Sequence, residues 1–128
     1  MRSIGTPYGS LQAILVEELM AYNQGLADDI RAILSDRPNL VVKKMFGGVG
    51  FMLNGNMACG VSGESIMVRV GLDDYDGLLA RPHVRVFDVT DKPMRGWVWV
   101  DPDGFKSDQE LKSWIMRGVA FAESLPPK

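Results

Sequence analysis

The chain is poor in the side chains that most often carry chemistry: among 128 residues there is one cysteine and one histidine. A single cysteine, Cys59, excludes an intramolecular disulfide, and its place in an apolar alternating run suits a small buried hydrophobe. His83 follows Pro82 at an element boundary, with Arg81 and Arg85 close by, and reads as a solvated loop residue. No serine or cysteine sits in a nucleophile motif. Long apolar runs are missing too. None exceeds four residues, as at Ala13-Ile14-Leu15-Val16, far short of a bilayer span. Glu17 and Glu18 follow that run at once with no small-residue cleavage site, so residues 1–19 do not read as a signal peptide, and the cytoplasm is the expected compartment. There is no basic excess. A net charge of −2 and a pI near 5.3 supply no general drive toward phosphate backbones. No internal repeat, low-complexity tract or linker is visible.

What the chain does contain is an ordinary globular composition, 46% apolar and 23% charged, at a length suited to one core. Its organising stretch runs from Lys43 to Val70. Val49, Phe51 and Leu53 alternate with Gly50 and Met52; Met57, Cys59 and Val61 alternate with Ala58 and Gly60; Ile66 to Val70 again has period two. Asn54-Gly55 between two such runs is a strong hairpin signal, because both central residues of a type I′ turn need positive φ. Positive φ is expected at Gly55 and at one or more of Gly47, Gly48 and Gly63. Leu40 to Phe46 reads as the strand leading in. Gly47-Gly48-Val49-Gly50 is followed by a strand rather than a helix, which argues for a turn or bulge and against a phosphate-binding loop.

Helices flank this meander. Tyr22, Leu26, Ile30, Ile33 and Leu34 form one stripe, Asn23 is a plausible cap, and Pro38 cannot continue the helix, so a helix Asn23–Ser35 is expected. Asp73 or Asp74 can cap a short helix through Tyr75, Leu78 and Leu79, ended by Pro82. Val84 to Val89 and Gly96 to Val100 read as strands, separated by an Asp91-Lys92-Pro93 turn, and Asp101 to Gly104 is turn chemistry. Ser107 with Glu110 is a capping box for a helix reaching Ser124, whose apolar stripe is Leu111, Trp114, Ile115, Gly118, Val119 and Ala122. Upstream, residues 1–19 read as an N-terminal extension, partly helical after Ser10, with the domain proper at residues 20–128. The fold class is α+β: a mostly antiparallel β-sheet of five to six strands, flanking N- and C-terminal helices and one short middle helix.

Candidate binding residues are thin on the ground. The acidic groups around Asp73 and Asp101 lack the ligand run of a calcium loop and suit caps and turns. Lys43, Lys44, Arg69, Arg85, Lys92 and Arg95 lie on or beside sheet segments, either as a solvated rim or as a patch for an acidic partner or nucleic acid. Lys43 and Lys44 must point to opposite faces. Trp97 and Trp99 share one side of their strand, placed for core packing first and as interface anchors second.

The run from Lys43 to Met57 (KKMFGGVGFMLNGNM) resembles the signature of the TfoX N-terminal domain, the front half of the Sxy-type competence regulators of bacteria. Ile66 to Val70, Pro93-Met94-Arg95-Gly96-Trp97 and the closing helix fall in the family's order. The resemblance implies an α+β domain that is no enzyme and needs no cofactor, linked to transcriptional control of DNA uptake beside a DNA-binding activator. The full regulators carry a second, C-terminal domain, and a stand-alone N-terminal domain is the expectation here. Its expected role is regulatory binding to another protein, or self-association, with nucleic acid contacted weakly or indirectly and no membrane. The partner-binding candidates are Lys43, Lys44, Arg69, Arg95, Trp97 and Trp99. Two alternatives stay open: a small enzyme using Cys59 or His83, and a directly nucleic-acid-binding module.

Overall fold

Asn23 caps the first helix of the computed structural model, which describes residues 22–45, 47–88 and 93–128. Its Oδ1 accepts from the Leu26 N–H at 2.9 Å, and its own N–H donates to the Gly63 carbonyl at 2.7 Å. One residue therefore starts helix α1 (Gln24–Ile33) and ties it to a hairpin turn of the sheet. The helix stops short of the expected Ser35. There the Ser35 N–H turns to the Ala32 carbonyl, an i−3 bond that tightens the last turn ahead of Pro38. Leu26, Ala27, Ile30 and Leu34 are buried, while Tyr22 and Ile33 pack half-buried against the same cluster.

Six strands follow: β1 (Leu40–Met45), β2 (Gly48–Leu53), β3 (Asn56–Ser62), β4 (Ser65–Arg69), β5 (Val84–Asp88) and β6 (Pro93–Val100). Every pairing is antiparallel, and the spatial order is β1-β2-β3-β4-β6-β5. A short helix α2 (Tyr75–Leu79) lies between β4 and β5, and α3 (Asp108–Ser124) closes the chain. The fold is thus α+β, with a six-stranded sheet. The turns are the expected ones: φ is +72° at Gly47, +53° and +83° at Asn54 and Gly55, and +59° at Gly63, but not positive at Gly48. The extension 1–19, the helix after Ser10, Phe46, Val89 and the Asp91-Lys92 part of the expected turn lie outside the described residues. Within them no helix is long and apolar enough to cross a membrane.

Strand register decides what each face of the sheet carries. Val49 pairs Val61, Phe51 pairs Cys59, Cys59 pairs Val68 and Val68 pairs Val98, so these apolar side chains share one face. All are essentially buried, in one cluster with residues of α1, α2 and α3. Met57 departs from the expected pattern. A register irregularity beside Phe51 and Met52 pairs Met57 with Met52 rather than leaving it in line with Cys59. The extra residue, Ala58, is buried, and Met57 moves to the opposite face.

α3 is the main cover. Its capping box is complete, with the Glu110 N–H on Ser107 Oγ and the Ser107 N–H on Glu110 Oε1, both at 3.1 Å. All six residues of the expected stripe are buried. Gly118 lets the helix rest directly on the bulge, since a Cβ there would run into the Ala58 carbonyl. The Trp114 Nε1–H donates to the Gly104 carbonyl at 3.1 Å, in the 3₁₀ turn Pro102–Phe105 that forms where turn chemistry was expected. That bond removes the penalty of burying an indole N–H. The Arg81 and Arg117 guanidiniums lie 4.8 and 5.8 Å from the Trp114 ring.

Candidate functional site

Arg69 and Trp97 are opposite one another in the β4–β6 register, one residue on from Val68 and one before Val98. Alternation therefore turns both away from the helix-covered face. The Arg69 guanidinium contacts two rings, 5.4 Å from the centre of Trp97 and 5.3 Å from that of Phe121 on α3. It can reach both because β4 ends there. The chain turns at Gly71 with φ +81°, and Phe121 lies so close that a Cβ at Gly71 would be 2.6 Å from its ring. A side chain at that corner would be strained and would have to displace the Phe121 ring. The Gly96 carbonyl accepts from the Val70 and Gly71 N–H groups at 2.7 and 3.1 Å, holding the corner against β6. Arg95 precedes it, with its guanidinium 5.1 Å from the Tyr75 ring.

These side chains line a cleft of about 220 Å³ formed by Arg69, Arg95, Trp97, Leu72, Phe121 and the two glycines. A second hollow of about 540 Å³ continues from it along Asp73, Asp74, Arg117, Ala120 and Ser124, sharing Gly71, Leu72 and Phe121. Leu72 stands where the two meet and is 63% exposed. Among the described residues, no carboxylate lies within ion-pair distance of Arg69 or Arg95, whereas Arg117 is 3.9 Å from Asp74. The arrangement offers two cations and an apolar floor. It offers no nucleophile–base pair.

The other candidates lie elsewhere. Trp99 pairs across to Met67 and Arg85, and the ring of Phe87 packs 4.9 Å from Trp99 and 5.7 Å from Trp97. Neither tryptophan enters the core beneath the helices, contrary to the first expectation; both are half-buried on the reverse face, because Val98 and Val100, which alternate with them, take the covered one. Lys43 and Lys44 are exposed on β1, four strands from β6 and so roughly 19 Å away at normal strand spacing. They do not join the arginines. Lys92 is outside the described residues. Arg85 instead grips Asp101 with two hydrogen bonds of 2.8 Å, and Ser65 Oγ donates a third at 2.8 Å. The hydrogen bonds from Arg85 hold the Asp101 carboxyl below its ordinary range, burial opposes them, and the Ser65 bond adds to the lowering. The same bond to Asp101 raises the Arg85 pKa.

Cys59 and His83 are not brought together. Cys59 is on β3, fully buried on the covered face, and burial pushes its thiol up to about 12. His83 is exposed just before β5, three strands distant, with φ +68°. No reactive thiolate is available at neutral pH in such a setting. Among the described residues no group of three metal-ligating side chains clusters, and Asp74 stands at the start of α2 without a side-chain capping bond.

Leu72 and Phe121 are the parts of the cleft that sequence reasoning missed. A signal for Phe121 existed: it is a large aromatic lying off the buried stripe of α3, among Arg117, Ala120 and Ser124. The family model of the TfoX N-terminal domain matches residues 32–122, more than half of the chain, and so takes in every residue that lines the smaller cleft. No curated protein and no solved structure matches the chain.

Proposed function

The chain belongs to the TfoX N-terminal domain family, and on that premise we propose that it is a regulatory domain that binds another protein chain. Its role is that of an accessory to transcriptional control, in the manner of the competence regulators, and it acts in the bacterial cytoplasm without catalysis of its own. One observation carries this reading. At the end of the sheet Arg69, Arg95 and Trp97 converge with an exposed Leu72 and a half-buried Phe121. Arginine and aromatic side chains are the types enriched at protein interfaces and at their energetic centres. The acidic net charge speaks against the alternative of a lone nucleic-acid binder.

Site-specific photo-crosslinking in cells tests the proposal, with the cross-linker at Leu72 and at Val86 on the exposed edge strand β5. A defined adduct to a protein is the expected result, either foreign or a second copy; light scattering on the purified chain separates these two. In an anisotropy titration at physiological salt the purified chain should bind duplex DNA weakly and without sequence preference. Tight, sequence-specific DNA binding by the chain alone would overturn the proposal.

A further inference from the structure

Resting on the protein-binding reading, and deepening it, we infer that the cleft between Arg69 and Arg95 receives a carboxylate from an acidic segment of the partner, with a neighbouring apolar side chain against Leu72 and Phe121. The chemistry of the lining decides the class of ligand. Two guanidiniums without a carboxylate partner among the described residues face a small opening. Arg69 lies over the rings of both Trp97 and Phe121, and these two contacts restrict its planar fork before any ligand arrives. A pre-oriented guanidinium loses less freedom on binding and matches a carboxylate with two parallel hydrogen bonds. The floor is apolar: Leu72 is 63% exposed at the centre of a groove that is otherwise open to a chain of several residues.

The rim decides between an acidic peptide and a nucleic acid. Beyond Leu72 the groove runs past Asp73 and Asp74, and only Arg117 is near enough to offset one of them, at 3.9 Å. A nucleic-acid strand brings a phosphate with every nucleotide and would have to lay one or more of them against these carboxylates. A peptide can place one carboxylate between Arg69 and Arg95 and carry neutral or apolar residues past the aspartates. Charge complementarity is thus local, and it suits an isolated acid in an apolar setting.

The test uses the full chain and a fluorescein-labelled peptide of alternating Glu and Leu, beside the same peptide with Gln for Glu and a fluorescein-labelled single-stranded oligonucleotide. Saturable binding of the Glu peptide is expected, falling roughly tenfold or more with the Gln peptide and with Arg69→Gln or Arg95→Gln, as for loss of a charge-assisted hydrogen bond. Because Arg69 also packs against two rings, Leu72→Glu is the second variant: it sits at an exposed position and should abolish binding by adding a carboxylate to the floor without unfolding the chain. Equal binding of the Glu and Gln peptides, indifference to Leu72→Glu, or tighter binding of the oligonucleotide would each overturn the inference. The cross-linking above separates the two levels. Protein adducts at Val86 but none at Leu72 would sink this cleft and leave the protein-binding reading standing. No adduct at either position would remove both.

Discussion

The two faces of the sheet come from the same strands and are built from different chemistry. On the covered face Val49, Phe51, Cys59, Val61, Ile66, Val68, Val98 and Val100 are all nearly or fully buried, with side chains that offer almost nothing to a hydrogen bond. On the reverse face the same strands present Gly60 beneath the methyls of Met57 and Met67, then Arg69, Trp97, Trp99 and Arg85. Past the methionines, the contacts there are ring on ring and guanidinium on ring. Aliphatic burial is non-directional and stabilises in proportion to area removed from water. Cation–aromatic stacking is weaker but orients the groups it joins. The covered face thus holds the fold, and the reverse face and its end hold side chains in readiness for something else.

Truncation should separate the two faces most clearly. Trp114→Ala removes a side chain only 4% exposed, together with its bond to Gly104. It should destabilise by roughly 3–5 kcal/mol, as large aromatic truncations in cores do. An unchanged denaturation midpoint would show that Trp114 does not anchor α3. Next in size is Gly118→Ala, which puts a methyl against the Ala58 carbonyl at the bulge. Overpacking of that kind should cost about 1–3 kcal/mol. Chemical denaturation measures it, and a stabilised variant would mean that α3 can lift off β3 freely.

The reverse face should respond less. Trp97→Ala loses stacking on Phe87 and Arg69 from a half-buried site and should cost about 1–2 kcal/mol. If it matched Trp114→Ala in the same titration, the contrast between the faces would collapse. The smallest effect belongs to Asp101. Its pKa is lowered in the folded chain, first by the Arg85 hydrogen bond, so its contribution is present above the ordinary value of 3.8 and is lost as pH falls through the folded value. The two side chains are 53% and 34% exposed, which limits the pair to about 0.2–1 kcal/mol. Asp101→Asn should therefore lower stability slightly at pH 7, and the gap to the parent should close as the pH drops below the carboxylate range. A gap that widened on acidification would have the wrong sign for this bond.

Much of this was legible residue by residue. Strand alternation, the Asn54-Gly55 turn, the Ser107–Glu110 box and the six-residue stripe of α3 are local features. Each rests on backbone geometry that neighbouring residues settle among themselves, so reading along the chain was enough. Met57 marks where that reading fails, because a bulge shifts the face of every residue beyond it and leaves no trace in the apolar pattern.

The cleft was of another kind. Arg69 and Trp97 were visible as an arginine and a tryptophan on two strands, and nothing local said that β6 would slot between β4 and β5 and set one opposite the other. Nor did periodicity show that a glycine corner would bring Phe121 of the last helix to the same guanidinium, or that Lys43 and Lys44 would be stranded on the far edge. Alternation assigns a side chain to a face within its own strand. Which strands become neighbours is a long-range choice, made when the apolar faces of β4 (Ile66, Val68) and β6 (Val98, Val100) pair side by side and find cover under α3 and α2 respectively, and only that choice gathers the arginines and aromatic rings at one end of the sheet.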